Sequence, residues 1–225
     1  MQLLERKGRV LSKDKFKRTP LIMAVRNGHV KIASLLLQHG SEWNHCDSSQ
    51  NSVLHYAAAF GWKECMDLLI EHGADLNKEN MWRVTPICIA MLKNHQGIVK
   101  ELLKHEGVDV NCKDDKGRTL LALACIDLAS HGILDFVKFL LAKGADPNIK
   151  NVQENTVLHN LATYNVQSQK KADKNAEKAV LGQVIQLLIE NGADLTLENK
   201  EKQTPFTLAL QHEKINILSI LSKKV

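Results

Sequence analysis

The sequence predicts an all-α fold, a solenoid of six helix-turn-helix units that stack on one another. Two phrases that recur in step predict it. The first resembles Thr-Pro-Leu, and its first two intervals are both 33 residues. The second is a pair of large apolar residues followed within a few positions by glycine, and it follows each of the first five copies of the first phrase. Because one pair of short helices cannot bury its apolar face alone, such a period indicates stacked units.

Each unit is expected to open with a short helix that begins after a threonine or serine. Thr19 accepts a hydrogen bond from an otherwise unpaired backbone N–H, and Pro20 has the φ of a first helical turn without an N–H. Leu21, Ala24 and Val25 then recur at helical spacing and form one apolar stripe. The six helix starts are Thr19, Ser52, Thr85, Thr119, Thr156 and Thr204.

A second helix and a turn complete each unit. In the second unit this helix is predicted over Trp62 to His72, where Gly73 suits a left-handed C-cap. Extra residues fall between the two helices, and the largest insertion, 165–180, is expected to be an exposed loop followed by a lengthened second helix. The predicted repeats 1 to 6 cover 14–46, 47–79, 80–113, 114–150, 151–198 and 199–225.

The first residues of the chain repeat the end of a unit. Leu3 and Leu4 fall where the apolar pair of a second helix belongs, and Val10 falls where valine follows the turn. Residues 1–13 are therefore predicted to be the tail of a partial preceding repeat or an N-terminal cap. We expect the chain to be a fragment of a larger protein.

Composition narrows the class of protein. With 225 residues and 44% hydrophobic residues the chain can bury a core, and its net charge of +5 is far from the concentrated basic stripe of a nucleic-acid binder. No apolar run is long enough to cross a membrane, and no signal peptide is evident at the start. Five scattered cysteines without a C-x-x-C pair indicate reduced thiols. We expect a cytoplasmic or nuclear monomer without membrane insertion.

Together the two phrases resemble the ankyrin repeat, whose pattern reads roughly D-x-x-G-x-T-P-L-H-x-A-A-x-x-G-H, then apolar pairs, then G-A-D-V-N. The resemblance covers essentially the whole chain. It implies a non-catalytic protein-protein interaction module, an adaptor or scaffold, in which His55 and His159 bond the backbone between repeats. It also implies a candidate hydroxylation site at Asn111, because Leu103 to Asn111 reads L-x5-D-V-N.

Motifs for chemistry are absent from the sequence. It contains no phosphate-binding, dinucleotide-binding, serine-hydrolase or H-E-x-x-H pattern. His45 and Cys46 with Cys65 form the one concentration of metal-binding types, and they lack zinc-ligand spacing and a fourth partner. We predict no catalytic residue, no cofactor and no metal.

The resemblance places the binding surface on the turn tips and the exposed side of each first helix. Five of the ten aromatic residues fall there, and exposed apolar patches with Trp, Tyr and Arg mark interaction sites. We predict a concave groove on repeats 1–4 that holds a peptide or domain with apolar anchors and acidic flanks. The predicted contacts are Phe16, Arg18, Met23, Arg26, Tyr56, Phe60, Met81, Trp82, Ile89, Leu92, Lys93, Arg118 and Leu123.

Two alternatives stay open at the sequence level. A regulatory ankyrin array that binds a small ligand or oligonucleotide would use Trp82 to stack a base beside lysine and arginine, although nucleic acid is the less favoured partner. A structural spacer would instead pack its groove against its own parent chain.

Overall fold

The computed structural model describes residues 12–126, 128, 132–166 and 171–222. The chain divides into two compact units, Met1–Asp109 and Val110–Val225. The first unit contains the helices α1 (Pro20–Arg26), α2 (Val30–Gln38), α3 (Val53–Phe60), α4 (Lys63–Glu71), α5 (Pro86–Leu92) and α6 (Gln96–Leu102). The second contains α7 (Leu120–Ala124), α8 (Ile133–Ala142), α9 (Val157–Ala162), α10 (Lys171–Glu190), α11 (Pro205–Gln211) and α12 (Ile215–Leu221).

These helices confirm the all-α prediction of helix-turn-helix units. The odd-numbered helices are the first helices of the repeats and the even-numbered ones the second, so the described helices fit six pairs. In place of β-strands, the described residues form two isolated antiparallel bridges, Cys46 with Ser52 and Lys113 with Thr119. The predicted partial repeat at residues 1–13 lies almost wholly outside the described residues.

The first helices begin at the threonines and serine that the sequence marks. Thr19 accepts a hydrogen bond from the Ile22 backbone N–H at 3.3 Å, and Thr119 accepts one from Ala122 at 3.2 Å. Removing such a cap costs about 1 kcal/mol of stability. Leu21 and Leu54, which lie in the apolar stripes of α1 and α3, are both 0% exposed.

Two buried histidines, His55 and His159, each form a hydrogen bond to the backbone of the following repeat. The Ser52 backbone N–H donates to His55 Nδ1 at 3.1 Å, so Nε2 carries the proton and donates to the Val84 carbonyl at 3.0 Å. His159 repeats this arrangement with the Thr156 N–H at 3.2 Å and the Gln203 carbonyl at 3.0 Å. These are the bonds between repeats that the family resemblance implies. Burial lowers the pKa of both histidines, so the fold keeps them neutral.

Asparagine side chains bridge the loops of neighbouring repeats. In each bridge, Nδ2 donates to the carbonyl of a glycine in the next repeat, and Oδ1 accepts from the N–H of the aspartate two residues later. The carbonyl distances are 2.7 Å for Asn77 to Gly107, 3.2 Å for Asn111 to Gly144 and 2.8 Å for Asn148 to Gly192. The N–H distances are 3.4 Å from Asp109, 2.9 Å from Asp146 and 2.7 Å from Asp194.

Aromatic rings of the residues that immediately precede two second helices pack on glycines of the preceding repeat. Trp62 donates its indole N–H to the Arg26 carbonyl at 3.2 Å, and a Cβ on Gly28 would lie 2.9 Å from its ring. His95 approaches the Ala59 carbonyl at 3.2 Å, and a Cβ on Gly61 would lie 3.0 Å from its imidazole. Both glycines also have a φ of 72°. Glycine at these two positions therefore serves both the turn and the ring that follows.

The predicted insertion of repeat 5 is only partly described, because residues 167–170 lie outside the described ranges. The second helix, α10, begins at Lys171 and is 20 residues long, the lengthening that the sequence predicts. Within it Glu177 is buried at 3% exposure and accepts a hydrogen bond of 2.6 Å from the Tyr164 hydroxyl. The inserted part of the helix is therefore packed against its own repeat.

Candidate binding surface

The turn tips of repeats 1, 2 and 3 form one row. The first residue of each tip, Asp14, Asp47 or Asn80, accepts hydrogen bonds through Oδ1 from the backbone N–H groups two and four residues later. Backbone bonds then link the tips, from the Ser48 N–H to the Phe16 carbonyl at 2.9 Å and from the Met81 N–H to the Ser49 carbonyl at 3.1 Å. The side chains on this row therefore have fixed spacing.

Large apolar side chains are exposed on this row and on the ends of two first helices. Phe16, Met81 and Trp82 project from the tips at 46%, 58% and 51% exposure. Phe60 ends α3 at 44%, and Leu92 ends α5 at 45%. Together with the half-buried Met23, Arg26, Tyr56 and Ile89 and the exposed Lys93, they are called here the groove surface. All of these residues belong to the first unit.

Arg18 is held by its own turn. Its guanidinium lies 2.7 Å from Asp14 Oδ2, which its Nε also approaches at 2.8 Å. The hydrogen bond from Arg18 is the main reason that the pKa of Asp14 is lowered and that of Arg18 is raised. Arg18 also lies over the Phe16 ring, 4.7 Å from its centroid. Its charge is therefore largely balanced before any partner arrives.

The Tyr56 side chain is also held within its own repeat. Its hydroxyl donates to Asp47 Oδ2 at 2.7 Å, while the Asn51 amide donates to the same oxygen at 3.2 Å. Burial and the hydrogen bond to Asp47 raise the pKa of Tyr56 to about 12. Burial alone would raise the pKa of Asp47, but hydrogen bonds from Tyr56, Asn51 and Ser49 outweigh it and lower that pKa. The hydroxyl proton of the half-buried Tyr56 is therefore already donated to Asp47, and a partner would meet a side chain of fixed orientation.

The two predicted contacts in repeat 4 lie in the second unit. Arg118 pairs with Asp114, at 2.6 Å from the guanidinium Nη2 and 2.7 Å from Nε, and the Asp114 side chain is fully buried. Leu123 is only 8% exposed. Neither side chain is as available to a partner in this structure as the sequence predicts. A signal for the arginines exists in the sequence, since Asp14 and Asp114 each precede an arginine by four residues within a turn.

Positive charge on the groove surface comes from two other residues. Arg26 ends α1, and Lys93 follows α5. Neither forms an ion pair with any residue that the structure describes. Both lie at helix C-termini, where the backbone carbonyls favour a cation.

The structure also bears on the candidate hydroxylation site, on metal binding and on membrane spans. Asn111 uses its amide in the bridge to Gly144 and Asp146, so a hydroxylase would meet a side chain that is already bonded. Across the described residues, no three His, Cys, Asp or Glu side chains are grouped to hold a metal ion. No described helix combines the length and apolar character needed to span a bilayer.

The family model for ankyrin repeats in three copies matches residues 1–80 and 78–151, well over half of the chain. The chain belongs to the ankyrin-repeat family. Ankyrin repeats are in general protein-protein interaction modules, and the fold itself is non-catalytic.

Curated relatives and solved structures agree with this assignment. The chain is 33% identical to poly [ADP-ribose] polymerase tankyrase of Caenorhabditis elegans, over all of this chain and 10% of that protein. It is 28% identical to SH3 and multiple ankyrin repeat domains protein 2 of Homo sapiens, over 85% of this chain and 9% of that protein. Among solved structures, the ankyrin repeat domain of Bcl-3 superposes with a TM-score of 0.77 at 25% identity, covering 98% of this chain and 90% of that one. The chain thus spans about a tenth of these curated relatives.

Proposed function

We propose that this ankyrin chain is a non-catalytic adaptor or scaffold that binds a protein segment on the groove surface. One observation carries the proposal. Phe16, Phe60, Met81, Trp82 and Leu92 are large apolar side chains, each between 44% and 58% exposed. A cluster of exposed apolar side chains of this size is typical of an interaction site, and aromatic anchors dominate interface energetics.

The conformation of the repeats does not require these side chains. The turn tips are held by Asp or Asn side chains and by backbone bonds, in which the side chains of Phe16 and Trp82 take no part. Interactions between repeats use other residues, such as His55 and Trp62. Exposing apolar rings to water is unfavourable, so exposed rings that take no part in these hydrogen bonds favour a role in binding.

The partner's chemistry follows from the surface. Apolar anchors would cover the exposed rings, and acidic flanks would face Arg26 and Lys93. Lys15 lies 5.1 Å above the Phe16 ring and adds positive charge at one end. Arg18 and Arg118 contribute less than the sequence predicts, because Asp14 and Asp114 already pair with them.

The test is selection of displayed random peptides on the whole chain, followed by affinity measurements with the enriched peptides. We expect enriched peptides with apolar anchors and acidic residues, and a Trp82→Ala, Phe60→Ala variant that binds them at least tenfold more weakly, about 1.4 kcal/mol. The matched control is Val152→Ala, Ile215→Ala, which removes two exposed apolar side chains of the second unit and is expected to leave binding unchanged.

Unchanged affinity in the Trp82→Ala, Phe60→Ala variant would overturn the proposal. A different outcome is that the wild-type chain binds short single-stranded RNA in a strongly salt-dependent way and that the same variant loses this binding. That result would show that the groove surface binds an oligonucleotide.

A further inference from the structure

The junction between repeats 1 and 2 lacks the asparagine bridge found at three other junctions. Asn44 stands at the bridging position, but its amide makes no hydrogen bond to any described residue. The Gly73 carbonyl and the Asp75 N–H, the groups that a bridge would join, are likewise without a described partner. Four junctions between neighbouring repeats, from 1–2 to 4–5, have an asparagine at the bridging position. Among the described residues, the bridge is missing only at the junction between repeats 1 and 2.

A cavity of about 230 Å³ lies at this junction. It is lined by Trp43, Asn44, Ser52, Val53, Ala74, Asp75 and Lys78. The Trp43 ring reaches towards Gly73, with Cζ2 4.0 Å from where a Cβ on that glycine would lie. The corresponding position holds Leu76, Val110, Pro147 and Leu195 in repeats 2 to 5, so Trp43 is the unusual residue here.

A neighbouring polar atom is also unsatisfied. Ser41 is 6% exposed, and its Oγ has no hydrogen-bond partner among the described residues. Repeats 2, 4 and 5 hold alanine at that position, as Ala74, Ala145 and Ala193. Buried polar atoms without partners are uncommon and costly. The loop from Ser41 to Asn44 therefore departs from its counterparts in both composition and hydrogen bonding.

The geometry points to a ligand site at this cavity for a carboxamide group on an apolar body. At the other junctions a carboxamide fills the equivalent space, donating to a glycine carbonyl and accepting from an aspartate N–H. The cavity adds an apolar wall from Trp43, Val53 and Ala74. The opposite charges of Asp75 and Lys78 favour a ligand that is neutral and offers both a donor and an acceptor.

Two sources supply this chemistry, a free carboxamide and an asparagine or glutamine side chain of a partner. The experiment titrates the nitrogen-15-labelled chain with isovaleramide, with isovalerate, and with a short peptide that carries one glutamine between leucines or glutamate in its place. We expect isovaleramide to shift the Asp75 N–H and the Trp43 indole N–H resonances, and isovalerate to shift them at least fivefold less. A response to the glutamine peptide at lower concentration than to isovaleramide assigns the group to a partner, and the reverse assigns it to a free ligand.

Trp43→Leu is the decisive variant, because leucine occupies this position in repeats 2 and 5 and lets the fold persist. It is expected to allow Asn44 to form the missing bridge and to weaken the response to isovaleramide at least tenfold. Trp82→Leu is the matched control and leaves the response intact. An equal response to isovalerate, no response at Asp75, or full retention in Trp43→Leu would overturn the assignment. Because Trp82 and Phe60 do not line this cavity, the result is independent of the proposed function of the groove surface.

Discussion

The turn tips of the two units share a backbone but carry different side chains. In the first unit the third tip position holds Phe16, Ser49 and Trp82, whereas in the second unit it holds Lys116, Gln153 and Glu201. The hydrogen bonds between the first side chain of each tip and the backbone are nevertheless the same in both units. Asp114, Asn151 and Asn199 accept from N–H groups two and four residues later, as Asp14, Asp47 and Asn80 do.

The backbone of the turn tips and the side chains on their surface are therefore determined by separate residues. The first residue of a tip, the buried histidines and the bridging asparagines fix the backbone wherever they occur. The side chains between these residues do not fix the backbone and can therefore differ from repeat to repeat. Substitutions at scaffold positions are therefore expected to cost stability in either unit, and substitutions at surface positions are expected to cost little.

The largest effect is expected at the buried histidines. His55→Ala and His159→Ala each remove the bonds to the helix start and leave a carbonyl of the next repeat without its donor, which costs about 2–4 kcal/mol. Urea unfolding of the whole chain measures this loss. His29→Ala, at an exposed histidine, is the control and is expected to stay within about 0.5 kcal/mol of wild type. Similar losses at His29 and His55 would contradict the division into scaffold and surface.

The same histidines make stability depend on pH. Their folded-state pKa values are lowered, chiefly by burial, so below about pH 6.5 the unfolded chain binds more protons than the folded one. Stability is therefore fully present above that pH and is lost as the pH falls towards the folded-state pKa values. Thermal unfolding between pH 5 and 8 tests this, and an equally steep decline in the His55→Gln, His159→Gln variant would refute it.

A smaller effect is expected at the bridging asparagines. Asn77→Ala removes two hydrogen bonds to the next repeat and is expected to cost about 1–2 kcal/mol. Asn44→Ala removes an amide that makes no such bond and is expected to cost less than about 0.5 kcal/mol. Equilibrium unfolding of the two variants side by side provides the measurement. Equal losses would show that Asn44 forms its bridge in solution.

The smallest effect is expected at the left-handed tip position. Gln50 has a φ of 62°, so Gln50→Gly is expected to stabilise the chain by about 0.5–1 kcal/mol. Gly117 holds the same position in the second unit with a φ of 71°, and a Cβ there would lie 3.0 Å from the Val152 nitrogen. Gly117→Ala is therefore expected to destabilise. If denaturation midpoints show that both substitutions stabilise or both destabilise the chain, the two tip positions do not differ as described.

Much of the fold is predictable from the sequence, because its signals are local. Thr19 followed by Pro20 starts a helix for reasons contained in two residues. The family pattern likewise anticipates the bonds of His55 and His159 to the next repeat. The repeated phrases place both helices of each repeat, and α10 begins within the insertion as its helical spacing predicts.

The candidate site was less predictable, because it depends on tertiary neighbours. Leu123 has the same place in its helix as Ile89, yet it is 8% exposed and Ile89 is half-buried. Leu128, among the extra residues that follow α7, is itself 2% exposed although an insertion is expected to be solvated. The sequence does not reveal that the Asn44 amide lacks a described hydrogen bond, because Asn44 keeps the asparagine found at the bridging position of repeats 2, 3 and 4.

The packing of Trp62 on Gly28 limits how this array can evolve. A unit with a tryptophan immediately before its second helix requires glycine at the matching site of the preceding repeat, and repeat 3 has Asn94 at that site instead. Duplicating or shuffling 33-residue modules would therefore have to move both members of such a pair together. The sequences of the repeats therefore restrict the order in which they can follow one another, and the repeats are not interchangeable.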